Sequence, residues 1–373
     1  MRVVLLGLSP SIGMQFYTAG LANALVSEGG YEVWVIGSAA RRRNAFDKRV
    51  RLLPTYSFSG TGLSLPALNL FNFRGLLKQI DDACPSLIHI IGPHLWNLPV
   101  ALCLRGRYPL VFTWHDATVH QGTKGTQLKN AYQRAMARVV DCIVVHSRAV
   151  ERALEENWGI LPTAISIVPL VHHNFDYDLY QKIRASRHGV FSYENMALLF
   201  GRLEEYKGVR EFLDAARVLG TFDDLRIKMV VAGTGSLSKE LNKYERLPGL
   251  EIRNYLIEDD ETIELFSRAG LVVLPYSEGS QSALIPLAYL FQKPVLVTRV
   301  GGLPEYVRDG VTGRVIDSND PALLARAIHD MISKKEALVQ MGKAGKDYLL
   351  ELEQQFTCRL LDAYTAATQG EAR

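Results

Sequence analysis

No stretch of this chain approaches the roughly 18 uninterrupted apolar residues that a membrane-spanning helix needs, so no such helix is expected. Cysteine is scarce. Cys84, Cys103, Cys142 and Cys358 are widely spaced and form no C-x-x-C pair, which excludes a disulfide framework or a thiolate metal site of ordinary spacing. Each lies among apolar neighbours and reads as a reduced core thiol of a cytoplasmic protein. A surplus of one charge is also lacking: the net charge of +3 argues against a dedicated nucleic-acid binder. No repeat or low-complexity segment is evident. Met1-Arg2-Val3-Val4-Leu5-Leu6-Gly7 mimics a signal peptide, but its apolar run is short and leads into Ser9-Pro10, not a small-residue cleavage site, so it reads as a first buried strand.

What is present is a 373-residue chain, 48% apolar and long for one hydrophobic core, so two domains are expected. Short apolar runs alternate with amphipathic segments. The first half offers strands at 3–7, 31–36, 87–91, 110–114, 142–146 and 165–168, with helical patterns such as 14–27 and 126–139 between them. The second offers 197–200, 227–232, 250–254, 271–274, 294–298 and 313–316. Continuous apolar strands alternating with helices mean parallel sheets covered on both faces. The expectation is an α/β protein of two doubly wound, Rossmann-like domains facing a central cleft. The division is an N-terminal domain 1–170, a C-terminal domain 171–350, and a helix 351–373 returning to the first. From Pro169 to about Glu194 no period is sustained, which marks the break.

Charge is divided unevenly: residues 1–171 hold 17 Lys and Arg against 10 Asp and Glu, and residues 172–373 hold 25 against 29. The basic half contains Arg41-Arg42-Arg43 with Lys48, Arg49 and Arg51, followed by Leu63, Leu65, Leu68, Leu70, Phe71 and Phe73. Such a pairing suits an anionic membrane surface, with a solvated loop and a partly buried helix as the alternative.

Chemistry concentrates at Pro275-Tyr276-Ser277-Glu278-Gly279-Ser280-Gln281-Ser282-Ala283-Leu284, between the apolar run 271–274 and a helical run 283–291. A strand that turns into a helix aims the helix's first N–H groups at the sheet edge, where an anion is favoured. Glu278 there suits hydroxyls attached to a phosphate, not the phosphate itself. The strand 197–200 delivers Gly201-Arg202-Leu203-Glu204-Glu205-Tyr206-Lys207-Gly208 to the same edge, bringing two cations, Arg202 and Lys207. A sugar phosphate fits this combination.

The second half resembles the retaining glycosyltransferase family 4, of GT-B fold, in its bacterial surface-polysaccharide branch. The resemblance rests on 200–208, Val231-Ala232-Gly233-Thr234-Gly235, 275–279, Lys293-Pro294-Val295-Leu296-Val297-Thr298, Gly301-Gly302-Leu303-Pro304-Glu305 and Asp309-Gly310-Val311-Thr312-Gly313. The first half matches more loosely, through a loop containing Gly13 and through Thr113-Trp114-His115-Asp116. The resemblance implies a transferase that moves a sugar from a nucleoside diphosphate sugar to a glycan or polyprenyl-linked acceptor, with no metal, no resident cofactor and no nucleic-acid partner. It implies that Arg202 and Lys207 neutralise the diphosphate, that Glu278 holds sugar hydroxyls as the first glutamate of E-x7-E, and that His115 approaches the sugar. Gly13, Gly201, Gly233, Gly279, Gln281 and Ser282 fall in the donor site. The second glutamate of that motif, which binds the ribose, is replaced by Pro286, which has no such acceptor. A peripheral place at the inner membrane face is implied.

Other readings stay open. A sugar-nucleotide epimerase or sugar-phosphate synthase of the same fold, or a non-catalytic nucleotide-sugar binder, would carry the same signals. Glu278 also suits a helix cap, and Arg202 and Lys207 suit a solvated surface. Asp176-Tyr177-Asp178 has the D-x-D form of metal-dependent transferases but lies away from any strand end. Gly233-Thr234-Gly235 lacks the third glycine of a dinucleotide fingerprint, position 238 being Ser. His115 with Asp116 and His120 lacks zinc-helix spacing, and His89, His94, His172 and His173 have no role fixed by pattern.

Overall fold

A computed structural model describes residues 1–55, 70–115, 126–171, 174–186, 191–220, 226–244 and 246–370. The chain divides into two compact units, Met1–Gln181 with Glu353–Arg373, and Lys182–Leu352. The expected limits were 170/171 and 350/351.

The first unit holds β1 (Arg2–Gly7), β2 (Glu32–Gly37), β3 (Arg51–Pro54), β4 (Leu87–Ile91), β5 (Leu110–Thr113), β6 (Cys142–Val145) and β7 (Ile165–Ile167), in the order β3-β2-β1-β4-β5-β6-β7. The second holds β8 (Met196–Phe200), β9 (Lys228–Ala232), β10 (Leu250–Arg253), β11 (Leu271–Leu274), β12 (Val295–Thr298) and β13 (Gly313–Ile316), in the order β10-β9-β8-β11-β12-β13. Every strand pair is parallel. Each unit is therefore a doubly wound α/β sheet, as the alternating pattern requires. Val3, Val4, Leu5 and Leu6 are all fully buried, because helices cover both faces of β1. Burying each such side chain contributes about 1.5–3 kcal/mol. Strand β3 escaped the sequence pattern because it is a four-residue edge strand opening on Arg51, with both ends exposed.

Three expectations change. The segment after Pro169 contains a helix, Tyr177–Arg184, whose two turns are too short to establish a period. Only Cys142 is a core thiol; Cys84, Cys103 and Cys358 are exposed. Cys103 lies on the helix Asn97–Leu104, where the 3.6-residue turn carries Ala101 and Leu104 inward and leaves Cys103 outside. Sequence neighbours thus mislead about burial. Arg41, Arg42 and Arg43 do not form a loose basic cluster: Arg41 Nη2 donates to Thr55 O at 2.8 Å, Arg42 Nε to Gln15 Oε1 at 3.0 Å, and Arg43 Nη1 to Val50 O at 2.9 Å. Leu63, Leu65 and Leu68 lie outside the described residues; Phe71 is exposed, and Phe73 packs edge-on against Trp96. Among the described residues, no helix is long and apolar enough to cross a membrane.

Candidate active site

Strands β8 and β11 are hydrogen-bonded neighbours at the point where the order of the second sheet reverses. Loops leaving adjacent carboxyl ends there diverge and open a crevice, which is where open parallel sheets bind ligands. The loop after β8 is laced to the loop after β9: Gly201 N–H donates to Ala232 O at 2.9 Å and Leu203 N–H to Thr234 O at 3.1 Å. A Cβ on Gly233, at φ +140°, would stand 1.8 Å from Gly201 O, so only glycine permits this approach. On the other side, Gly208, at φ +68°, would place a Cβ 1.8 Å from Pro275 O. That closeness brings Lys207 onto the loop after β11.

Lys207 Nζ donates to the Tyr276 hydroxyl at 2.7 Å and lies 4.2 Å from the centre of its ring. The Tyr276 oxygen is 3.1 Å from Ser282 Oγ, and Ser282 Oγ also accepts from Leu284 N–H at 3.3 Å. The Tyr276 oxygen accepts from Lys207 and shares one hydrogen with Ser282 Oγ, which either hydroxyl can supply. Arg202 Nη2 donates to the Tyr206 hydroxyl at 3.2 Å. Among the described residues neither cation is ion-paired with a carboxylate. Glu278 is exposed on the same loop, beside Gly279 at φ +152°, and Gln281 is half-buried.

The helix that follows differs from expectation. It is Leu284–Leu290, only seven residues. Its first amides are not a row of spare donors: Leu284 N–H meets Ser282 Oγ, Ile285 N–H faces Ser282 O at 3.4 Å, and Pro286 has none. Pro286 is buried and apolar, so its position presents no ribose acceptor. What this edge can offer an anion is the two cations and the hydroxyl chain, not a row of helix amides.

In the first unit, Gly13 lies in the first turn of the helix Ile12–Glu28, directly after β1, and a Cβ on it would meet nothing within 4 Å. His115 follows β5 and is partly buried. Its Nδ1 is 3.2 Å from Nε2 of His146, which follows β6, and Tyr17 of the Gly13 helix meets both rings edge-on, with centroids 5.7 and 5.1 Å away. Beneath them, Tyr17 Oη is 3.3 Å from Thr113 Oγ1, which is 2.7 Å from His89 Nε2; His89 Nδ1 is 2.9 Å from the Tyr364 hydroxyl. Burial pushes His89 and His146 down to about 3 and His94 to about 4, so all three rings are neutral near pH 7. His89 is thus a core residue. His94 is also buried, and its Nδ1 accepts from Trp96 N–H at 3.2 Å.

Asp176 and Asp178 stand at the start of the helix Tyr177–Arg184, with Tyr177 bonded to Asp47. Among the described residues, no three His, Cys, Asp or Glu side chains group as metal ligands would. Asp116, His120, His172 and His173 lie outside the described residues. Sequence reasoning missed Tyr206, Tyr276, Tyr17 and His146. Tyr206 and Tyr276 lie inside motifs already singled out, and His146 ends a predicted strand, but what their side chains bond is set by tertiary neighbours.

Residues 182–348 match the family described as glycosyl transferases group 1, and residues 12–170 match glycosyltransferase family 4. Both units are glycosyltransferase domains of the GT-B fold. The glycosyltransferase is 24% identical over 401 residues to D-inositol 3-phosphate glycosyltransferase of Corynebacterium efficiens, covering 98% of this chain and 93% of the relative. Among solved structures, it is similar to HepE of Anabaena in complex with UDP and glucose, at a TM-score of 0.68 and 18% identity over 97% of this chain and 99% of that one. Sucrose-phosphate synthase of Thermosynechococcus elongatus gives a TM-score of 0.72 at 17% identity, covering 98% of each chain.

Proposed function

We propose that this glycosyltransferase moves a sugar from a nucleoside diphosphate sugar to a hydroxyl acceptor with retention of anomeric configuration. The observation that carries this reading is the pair Arg202 and Lys207, bonded to phenolic hydroxyls and, among the described residues, without carboxylate counter-ions at the switch point of the second sheet. The bond from the anomeric carbon to the diphosphate oxygen breaks, the acceptor oxygen takes its place, and the acceptor proton goes to the departing phosphate. Charge then gathers on the diphosphate, where fixed cations and the Ser282 hydroxyl stabilise it in a site organised beforehand. HepE structures in complex with UDP and with UDP-glucose favour a uridine donor. Glu278, exposed on the same loop as Tyr276, takes the sugar hydroxyls.

This mechanism uses no metal and no resident cofactor, so activity should persist in excess EDTA; loss that manganese restores would return Asp176 and Asp178 to consideration. The acceptor reading is a glycan or polyprenyl-linked glycan of surface-polysaccharide synthesis, met at the cytoplasmic membrane face. A second reading, a small phosphorylated polyol, is favoured by the D-inositol 3-phosphate relatives and by the internal bonding of Arg41, Arg42 and Arg43, which weakens the case for a membrane patch. A thermal-shift panel of nucleoside diphosphate sugars tests the donor, because a ligand of the native state stabilises it. Absence of any shift across the panel would remove the donor reading. The donor found there, incubated with inositol 3-phosphate and separately with a polyprenyl diphosphate glycan, decides the acceptor.

A further inference from the structure

We infer that Tyr276 is a positioning residue that acts through Lys207, holding its ammonium in place before any ligand arrives. A lysine is a point charge on a flexible four-carbon stem, so the place of the charge is set by what the tip touches. Tyr276 meets that tip in two ways. Lys207 Nζ donates to the Tyr276 hydroxyl at 2.7 Å and lies 4.2 Å from the centre of the same ring, against 5.5 Å from the ring of Tyr206. Tyr276 can serve as a support because it is itself fixed. It is 2% exposed, its carbonyl accepts from the hydroxyl of Thr298, the last residue of β12, at 2.6 Å, and the N–H of the next residue, Ser277, donates to Tyr206 O at 2.9 Å. Its hydroxyl oxygen also stands 3.1 Å from Ser282 Oγ, which holds the phenol from a second direction.

The consequence is a division of labour between the two cations. Arg202 is exposed and bonds to the half-buried Tyr206, four residues along the same loop, so its support moves with it. Lys207 instead leans on a buried ring 69 residues away that is tied to β12. Lys207 is thus the cation set in place by the fold, and Arg202 the adaptable one. A phenolic oxygen accepts one ammonium hydrogen without cancelling the charge, and an ammonium has two more to offer an anion. A charge placed in advance needs no reorganisation when negative charge develops beside it. That this negative charge belongs to a diphosphate rests on the donor reading above; the placing of Lys207 by Tyr276 does not.

The test begins without ligand, as proton–nitrogen NMR of the lysine ammonium groups in the full chain at about pH 6, with Lys207 identified by the signal lost in Lys207→Arg. In the wild-type protein the Lys207 ammonium should be restricted in motion and slow to exchange its hydrogens. In Tyr276→Phe, which keeps the ring and removes only the hydroxyl, it should become mobile or lose its signal. A mobile Lys207 ammonium in the wild-type protein overturns the inference even if the phenylalanine variant fails to fold. Calorimetric titration with UDP supplies the second readout. Tyr276→Phe should weaken UDP binding by about three- to tenfold, the range of one hydrogen bond. In a Lys207→Ala background the same change should have no further effect, because a residue that acts through another then has nothing to act on. Equal losses in the two backgrounds give Tyr276 a role of its own and overturn the positioning role, as does an unaltered affinity in Tyr276→Phe. Failure of the wild-type protein to bind UDP, with the Lys207 ammonium held, removes the donor reading and leaves the positioning role standing.

Discussion

Lys207 and Arg202 are held by phenols rather than carboxylates, and that choice of partner decides what they can do. A carboxylate would neutralise a cation in advance and compete with phosphate, whereas a hydroxyl orients it and leaves its charge. Arg202→Ala and Lys207→Ala should each cost at least about tenfold in donor-dependent turnover, since a charge-assisted bond contributes about 1.5–3 kcal/mol. Far-UV circular dichroism should be unchanged, and wild-type turnover in either purified variant would remove the phosphate role. Glu278 is assigned to hydroxyls. Glu278→Gln should therefore keep the affinity for a free nucleoside diphosphate while flattening the preference among donor sugars; equal weakening of both in calorimetry would show that the carboxylate serves something else.

The loops after β8, β9 and β11 act together because glycine lets their backbones touch. Gly208 combines φ +68° with a carbonyl oxygen 1.8 Å from where a Cβ would be. Gly208→Ala must either clash with Pro275 or move the loop, so it should destabilise the second unit by at least about 2 kcal/mol and raise the donor KM through displacement of Lys207. The urea midpoint of the variant measures the first effect. A midpoint equal to that of wild type would mean that the two loops separate without cost. The seven-residue helix Leu284–Leu290 matters less than its sequence suggested, because Ser282 and Pro286 use up or remove its first donors.

Three neutral histidines in one unit make the acid response of the molecule predictable. His89 and His146 are pushed down to about 3 and His94 to about 4 by burial, against 6.5 when unfolded. Between those values the unfolded chain binds more protons, so stability is full above about pH 6.5 and is lost as pH falls toward 3–4. Each ring contributes a slope of at most about 1.4 kcal/mol per pH unit. All four tryptophans, Trp34, Trp96, Trp114 and Trp158, belong to that unit, so their emission follows its unfolding alone. The urea midpoint from tryptophan emission should fall from about pH 7 to about pH 5; a flat midpoint would mean that the rings protonate in place.

Periodicity and turn chemistry, which are local, determined most of the strands to within a residue or two at each end, the doubly wound class, and the loops on which Arg202, Lys207, Glu278 and His115 stand. That Pro286 stands where the resemblance expects a second glutamate was legible only by comparison with the family's motif, not from the local pattern. Only the tertiary structure set Tyr276 against Lys207, 69 residues away in sequence, and His146 against His115, 31 away. The helix face that exposes Cys103 and the bonds that occupy Arg41, Arg42 and Arg43 were likewise decided there. The physical reason is that parallel strands are joined by long crossovers: which strand ends become neighbours, and so which side chains share a hydrogen, depends on strand order and register, and neither leaves a mark on the local pattern of residues.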